Sequence, residues 1–144
     1  MTHLTTDKSA ALATDERTGL LLFAHGARDP AWAAPFAAVA ELCRQRRPGA
    51  AVALAYLDFM TPDLVRAGAD LVAQGCRRVD VVPLFLGAGG HVRKDIPVLM
   101  ARLQAEHPGV AWALHHAVGE HELVIAAMAE AALAAPSTAA VAVR

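Results

Sequence analysis

Apolar runs of strand length and stretches with helical spacing alternate four times between Gly19 and Ala134. The first run, Gly19 to Ala24, stops at His25-Gly26 and a turn through Ala27-Arg28-Asp29-Pro30. Asp29 followed by Pro30 predicts a helix start: a carboxylate caps free N–H groups, and proline needs no N–H at the first helical position. Trp32, Phe36, Val39 or Ala40, and Cys43 recur at helical spacing and are expected to form the buried face of that helix. Arg44, Arg46 and Arg47 suit the negative end of its dipole, and Pro48-Gly49 stops it.

Ala51 to Leu57 is the second strand. Thr61-Pro62-Asp63 announces a second helix, with Thr61 expected as its cap and Leu64, Gly68, Leu71 and Gly75 as its stripe. Arg78 to Phe85 is a third strand, nearly continuous in hydrophobes, as strands covered on both faces are. A glycine-rich loop runs from Gly87 to Lys94. Asp95 is expected to cap the third helix, because Pro97 fits most easily in a first turn. Ile96, Leu99 and Leu103 then face inward, and His107-Pro108-Gly109 breaks the helix. Val110 to Leu114 makes a fourth strand and Glu120 to Ala134 a last helix.

This alternation predicts an α/β fold: a four-stranded parallel sheet in the order 2-1-3-4, flavodoxin-like, with helices on both faces. Strands one and three are then neighbours whose crossovers leave toward opposite faces. The crevice at their carboxyl ends is where such sheets bind ligands. His25 and His91 follow those two strands, so the topology carries both imidazoles to one cleft. Residues 1–18 read as a polar leader, 19–135 as a single domain, and 136–144 as a loose Ala-rich tail.

Composition narrows the class. With 144 residues, 56% hydrophobic and 19% charged, the chain has enough apolar material for a core and is not of disordered type. A net charge of −1 gives no electrostatic reason to expect nucleic acid or an anionic membrane. No apolar stretch approaches the ~20 residues of a membrane span, and the leader lacks a signal peptide's hydrophobic region. Cys43 and Cys76 are not in a CxxC pattern. Both fall in segments with helical character and are expected to be reduced thiols of a cytoplasmic protein.

Paired neutral imidazoles at an open cleft can hold a divalent transition metal and leave coordination positions free. Gly26, Gly87, Gly89 and Gly90 clear side chains from around them, so a large flat ligand could come close. Arg28, Arg93 and Lys94 lie nearby in sequence and could receive carboxylates. One exposed ion pair contributes only ~0.2–1 kcal/mol, so they would have to act together. Rival motifs are poor. The glycine loop could cradle phosphate but lacks the Walker lysine-serine and the dinucleotide spacing. His121-Glu122 opens like a zinc-protease motif, but Ile125 stands where the second histidine belongs. His115 and His116 end the fourth strand, and alternation points only one of them toward the cleft.

Three segments together carry a resemblance: His25-Gly26-Ala27-Arg28-Asp29-Pro30, then Pro83-Leu84-Phe85-Leu86, then Gly89-Gly90-His91-Val92-Arg93-Lys94-Asp95-Ile96-Pro97. From Gly19 to about Leu133 the chain resembles the sirohydrochlorin chelatases of the small CbiX type, related to SirB. The resemblance implies ATP-independent insertion of Co²⁺ or Fe²⁺, or Ni²⁺ in some members, into sirohydrochlorin, with release of two protons and no nucleotide cofactor. It also implies a homodimer, and His25 and His91 as the groups that bind the metal and move protons. Arg28, Gly89, Gly90, Arg93 and Lys94 would meet the substrate, and Asp58 or Glu120 would be an assisting acid. The chain departs from the family at Ala27, usually Ser, and at Asp58, commonly Glu. Two other readings use the same residues or loop: a metal or tetrapyrrole carrier without catalysis, and a phosphate- or nucleotide-binding flavodoxin-like module.

Overall fold

The computed structural model describes residues 17–87 and 89–135, with His91 described by its backbone alone. The strands are β1 (Arg17–Ala24), β2 (Ala51–Tyr56), β3 (Cys76–Pro83) and β4 (Ala111–Leu114). The helices are α1 (Ala34–Arg46), α2 (Leu64–Ala73), α3 (Gly90–Glu106) and α4 (Glu122–Leu133), with short 3₁₀ turns at Pro30–Ala33 and Val118–Glu120. The strands form one parallel sheet in the order β2-β1-β3-β4, as the alternation predicts. No helix among the described residues is long and apolar enough to cross a membrane.

Local expectations needed five corrections. β1 begins at Arg17, inside the expected leader, because Arg17 pairs with Cys76 and its guanidinium donates to the Gln74 carbonyl. The rest of the leader and the tail 136–144 lie outside the described residues. Cys76 opens β3 instead of closing a helix, since Gly75 has already turned the chain with a φ of +93°. Asp63, not Thr61, caps α2: its carboxylate accepts from the Arg66 N–H at 2.8 Å, and Thr61-Pro62 stays outside the helix. α3 starts five residues before Asp95, at Gly90 with Gly89 as cap, and carries Pro97 in its interior. A single missing N–H there is outweighed by the helix's burial of Val92, Ile96, Met100 and Leu103. Finally, α1 buries only Ala40; Trp32, Phe36 and Cys43 are partly covered and Val39 is exposed.

That last correction reflects how the two faces of the sheet are finished. Leu21, Phe23, Val79 and Val81 project to one side and pack on Leu64, Ala67 and Leu71 of α2 and on Ile96, Met100 and Leu103 of α3. This is the dry core. Gly68 is required where α2 presses on α3, since a Cβ there would stand 2.6 Å from a Leu103 methyl. Leu20, Leu22, Asp80 and Val82 alternate to the other side, where only Leu22 is buried. α1 reaches that side over β2, Arg44 donating to the Val52 carbonyl at 3.2 Å.

Candidate functional site at the β1–β3 crevice

Parallel pairing builds the site. β1 and β3 pair Leu22 with Val82 and Phe23 with Pro83, and Leu84 N–H donates to the Phe23 carbonyl at 2.7 Å. Continuing that register two residues sets Phe85 beside His25. The two rings stack, with centroids 4.0 Å apart and planes at 29°. Phe85 is only 1% exposed, and its ring also meets Phe23 at 5.7 Å. His25 itself is exposed. A buried benzene ring is therefore the floor on which an exposed imidazole rests, leaving its nitrogens at the crevice. Sequence reasoning did not assign Phe85 a part in the site. The signal that could have found it is the strand register.

The loops after β1 and β2 are stitched together. Asp58 N–H donates to the His25 carbonyl and Leu57 N–H to that of Ala24, both at 2.9 Å. Gly26 has a φ of +89°, and a Cβ there would run into the Asp58 carbonyl. Only glycine lets the loops approach this closely. Arg28 lies 5.2 Å over the ring of the exposed Phe59, on the β2 loop. His25, Arg28 and Asp58 thus share one rim. Asp58 also borders a cavity of about 350 Å³ together with Tyr56, Asp63, Asp95 and Arg102.

Across the crevice, His91 is the second residue of α3, so its backbone lies at the carboxyl end of β3, next to β1 in the sheet. Its side chain and all of Ala88 lie outside the described residues. Gly87, Gly89 and Gly90 have open space where a Cβ would project. Arg93 and Lys94 are exposed on the first turns of α3. Arg93, Phe85, His116 and Glu120 line a cavity of about 310 Å³. Glu120 faces His116, Oε2 to Nδ1 at 3.4 Å, on the β4 side of the crevice, whereas Asp58 sits on the β2 side. The two candidate acids are therefore on opposite flanks. His115 lines the same cavity and meets Asp80 at 2.8 Å. The His121 ring caps α4 by accepting from the Leu123 N–H at 3.1 Å.

Residues 19–135 match the family model described as CbiX. A sirohydrochlorin cobaltochelatase from Methanocaldococcus jannaschii is 32% identical over 88 residues, a stretch that is 61% of this chain and 62% of that protein. The match thus spans less than two thirds of that relative. Among solved structures, a CbiX protein of cobalamin biosynthesis from Marinobacter aquaeolei VT8 is 34% identical, with a TM-score of 0.70 over 81% of this chain and 94% of its own. The sirohydrochlorin chelatase SirB from Bacillus subtilis subspecies spizizenii, solved with cobalt, is 25% identical. Its TM-score is 0.70, over 79% of this chain and 49% of its own.

Proposed function

The chain belongs to the CbiX family, and on that premise we propose that it inserts a divalent metal, Co²⁺, Fe²⁺ or Ni²⁺, into sirohydrochlorin. The observation that carries the reading is an exposed imidazole held on a buried ring at the switch point of the sheet, with His91 following the adjacent strand. Insertion replaces two pyrrole protons with one M²⁺, giving metallo-sirohydrochlorin and two H⁺. The site must therefore donate to the metal and accept protons. Neutral imidazole does both near its ordinary pKa of about 6.5.

In this reading His25 and His91 bind the incoming ion beside the macrocycle, and one of them takes a pyrrole proton. Asp58, sharing a rim with His25, is better placed to assist than Glu120, which already faces His116. Arg28, Arg93 and Lys94 orient the peripheral carboxylates. The open space over Gly89 and Gly90 admits the flat face of the ring. The reaction needs no nucleotide and takes place in the cytoplasm. One chain supplies a single wall of the cleft, and a second copy supplies the other, as a homodimer.

The test is anaerobic insertion of Co²⁺, Fe²⁺ and Ni²⁺ followed by the absorbance change of sirohydrochlorin. His25→Ala and His91→Ala are each expected to lose about 100-fold or more in rate, the ordinary worth of a positioned proton acceptor. Wild-type rates in both variants would overturn the assignment. Multiple turnovers with sirohydrochlorin in excess separate an enzyme from a carrier. A strict monomer with full activity would defeat the paired cleft.

A further inference from the structure

The short loop from β2 to α2 holds one side chain where folding alone gives no reason to hold it. The Tyr56 N–H donates to the Pro62 carbonyl at 2.9 Å, which closes the loop at its base. At the tip the Met60 N–H donates back to the Asp58 carbonyl at 2.8 Å, and Phe59 between them has a φ of +66°. This is a three-residue turn with a left-handed centre, rare and strained for any residue but glycine. In that conformation the Cβ crowds the following carbonyl oxygen. Among the described residues Phe59 is the one non-glycine residue with a positive φ. Its ring is 67% exposed and adds little to the core. Strain kept under an uncovered ring is the pattern of a ligand clamp.

Two contacts say what the ring serves. The Asp58 N–H, one residue earlier, donates to the His25 carbonyl, so the loop tip stands on the rim that carries His25. The Arg28 guanidinium lies 5.2 Å over the Phe59 ring. Arg28 is exposed, and among the described residues no carboxylate pairs with it. Arg44, Arg66 and Arg102, by contrast, each meet a carboxylate on their own helix. Those charges are answered within the chain. The ring face fixes Arg28 without neutralising it, and its charge stays open to a ligand.

We infer that Phe59 is a substrate-positioning residue: its strained turn presents the ring on which the Arg28 guanidinium rests, so that the cation stands ready for a peripheral carboxylate of the tetrapyrrole. The inference rests on the reading above, in which Arg28 meets those carboxylates, and adds the residue that holds it there. A long side chain loses rotamer freedom when it binds, and one already laid on a ring has lost part of it beforehand. The effect belongs to substrate binding and not to metal or proton transfer, because a guanidinium has no lone pair for the ion and takes up no proton.

The test compares Phe59→Gly, Phe59→Trp, Arg28→Ala and the Phe59→Gly/Arg28→Ala double variant in the full chain. Readouts are KM and kcat for Co²⁺ insertion, the dissociation constant of metal-free sirohydrochlorin from its fluorescence, and the melting temperature. Phe59→Gly is expected to raise KM and the dissociation constant about two- to fivefold, the worth of one exposed cation–π contact, with kcat unchanged. Glycine relieves the left-handed turn, so the melting temperature should rise while binding weakens, the reverse of damage to the fold. Phe59→Trp keeps a ring under the guanidinium and should retain the wild-type KM. In the Arg28→Ala background Phe59→Gly should add nothing, since the ring acts through the guanidinium. An unchanged KM in Phe59→Gly, a fall in kcat alone, or the same loss repeated in the Arg28→Ala background would each overturn the inference. A lower melting temperature in Phe59→Gly would deny the strain and overturn it as well. If the wild-type chain binds sirohydrochlorin and the variants bind it equally, this inference alone fails; a wild-type chain that does not bind it overturns the reading above too.

Discussion

The sheet's two sides use similar residues to opposite ends. On the α2/α3 side Leu21, Phe23, Val79, Val81, Leu64, Leu71 and Leu103 are all at most 1% exposed. On the α1 side the helix buries Ala40 alone. Both sides are written in Leu, Val and Ala at proper spacing. One is closed by the chain itself, and the other is left open beside a groove. An amphipathic pattern says that a face wants cover; it does not say which molecule supplies it. The closed side ends in Phe85 beneath His25, whereas the open side keeps a groove between α1 and β1.

The largest expected contrast is in stability. Leu103→Ala should cost ~2–5 kcal/mol, because a fully buried side chain leaves a cavity between α2 and α3. Leu42→Ala on the open side should stay within about 0.5 kcal/mol. Urea unfolding of both variants at high dilution measures the pair, since dimerisation would mask the second value. Equal losses would erase the distinction between the faces.

Next comes tolerance to an added methyl. Gly68→Ala forces a Leu103 methyl and the Trp112 ring to move, so overpacking of ~1–3 kcal/mol should outweigh the gain in helix propensity. Gly49, in the turn after α1, has nothing within 4 Å of a new Cβ, and Gly49→Ala should be nearly silent. Melting temperatures of the two decide it.

Phe85→Leu asks whether the closed side acts on the chemistry. The smaller side chain leaves part of the ring's space empty and should cost about 1–2 kcal/mol in stability. Without the stacked ring His25 loses its fixed orientation, and insertion should slow about tenfold, more than the modest change in folding suggests. An unchanged rate would reduce Phe85 to packing alone.

The smallest effect is read by the thiols. Burial pushes the Cys76 thiol above its ordinary pKa, with Arg17 drawing it back in part, so little thiolate forms near neutral pH. Cys43 sits half-covered in the open groove. In dilute protein iodoacetamide should label Cys43 well before Cys76, and peptide mapping reads the order. Preferential labelling of Cys76 would reverse the two faces.

Much of the scaffold was legible because it depends on local rules. Four apolar runs joined by helical crossovers allow few right-handed topologies, and the observed order β2-β1-β3-β4 is the expected one. The same rule carries His25 and the backbone of His91 to the carboxyl ends of the neighbouring strands β1 and β3. What escaped was set by contacts between segments distant in sequence. Phe85 belongs to the site through its register against β1. Asp58 and Gly26 matter together because one loop's carbonyl fills the space over the other's α-carbon. Even short-range chemistry misled where two cappers competed: Asp63 reaches the Arg66 N–H while Thr61 remains outside the helix.

The amino-acid order by itself determined the layering, the strand succession and the two histidines that follow adjacent strands, because periodicity, turn residues and crossover handedness act over a few residues at a time. The tertiary structure alone decided which face is dry, which ring supports His25, and that the last helix stands uncovered. Those are outcomes of side-chain packing across the sheet, where volume and register between remote segments choose among patterns the chain writes alike.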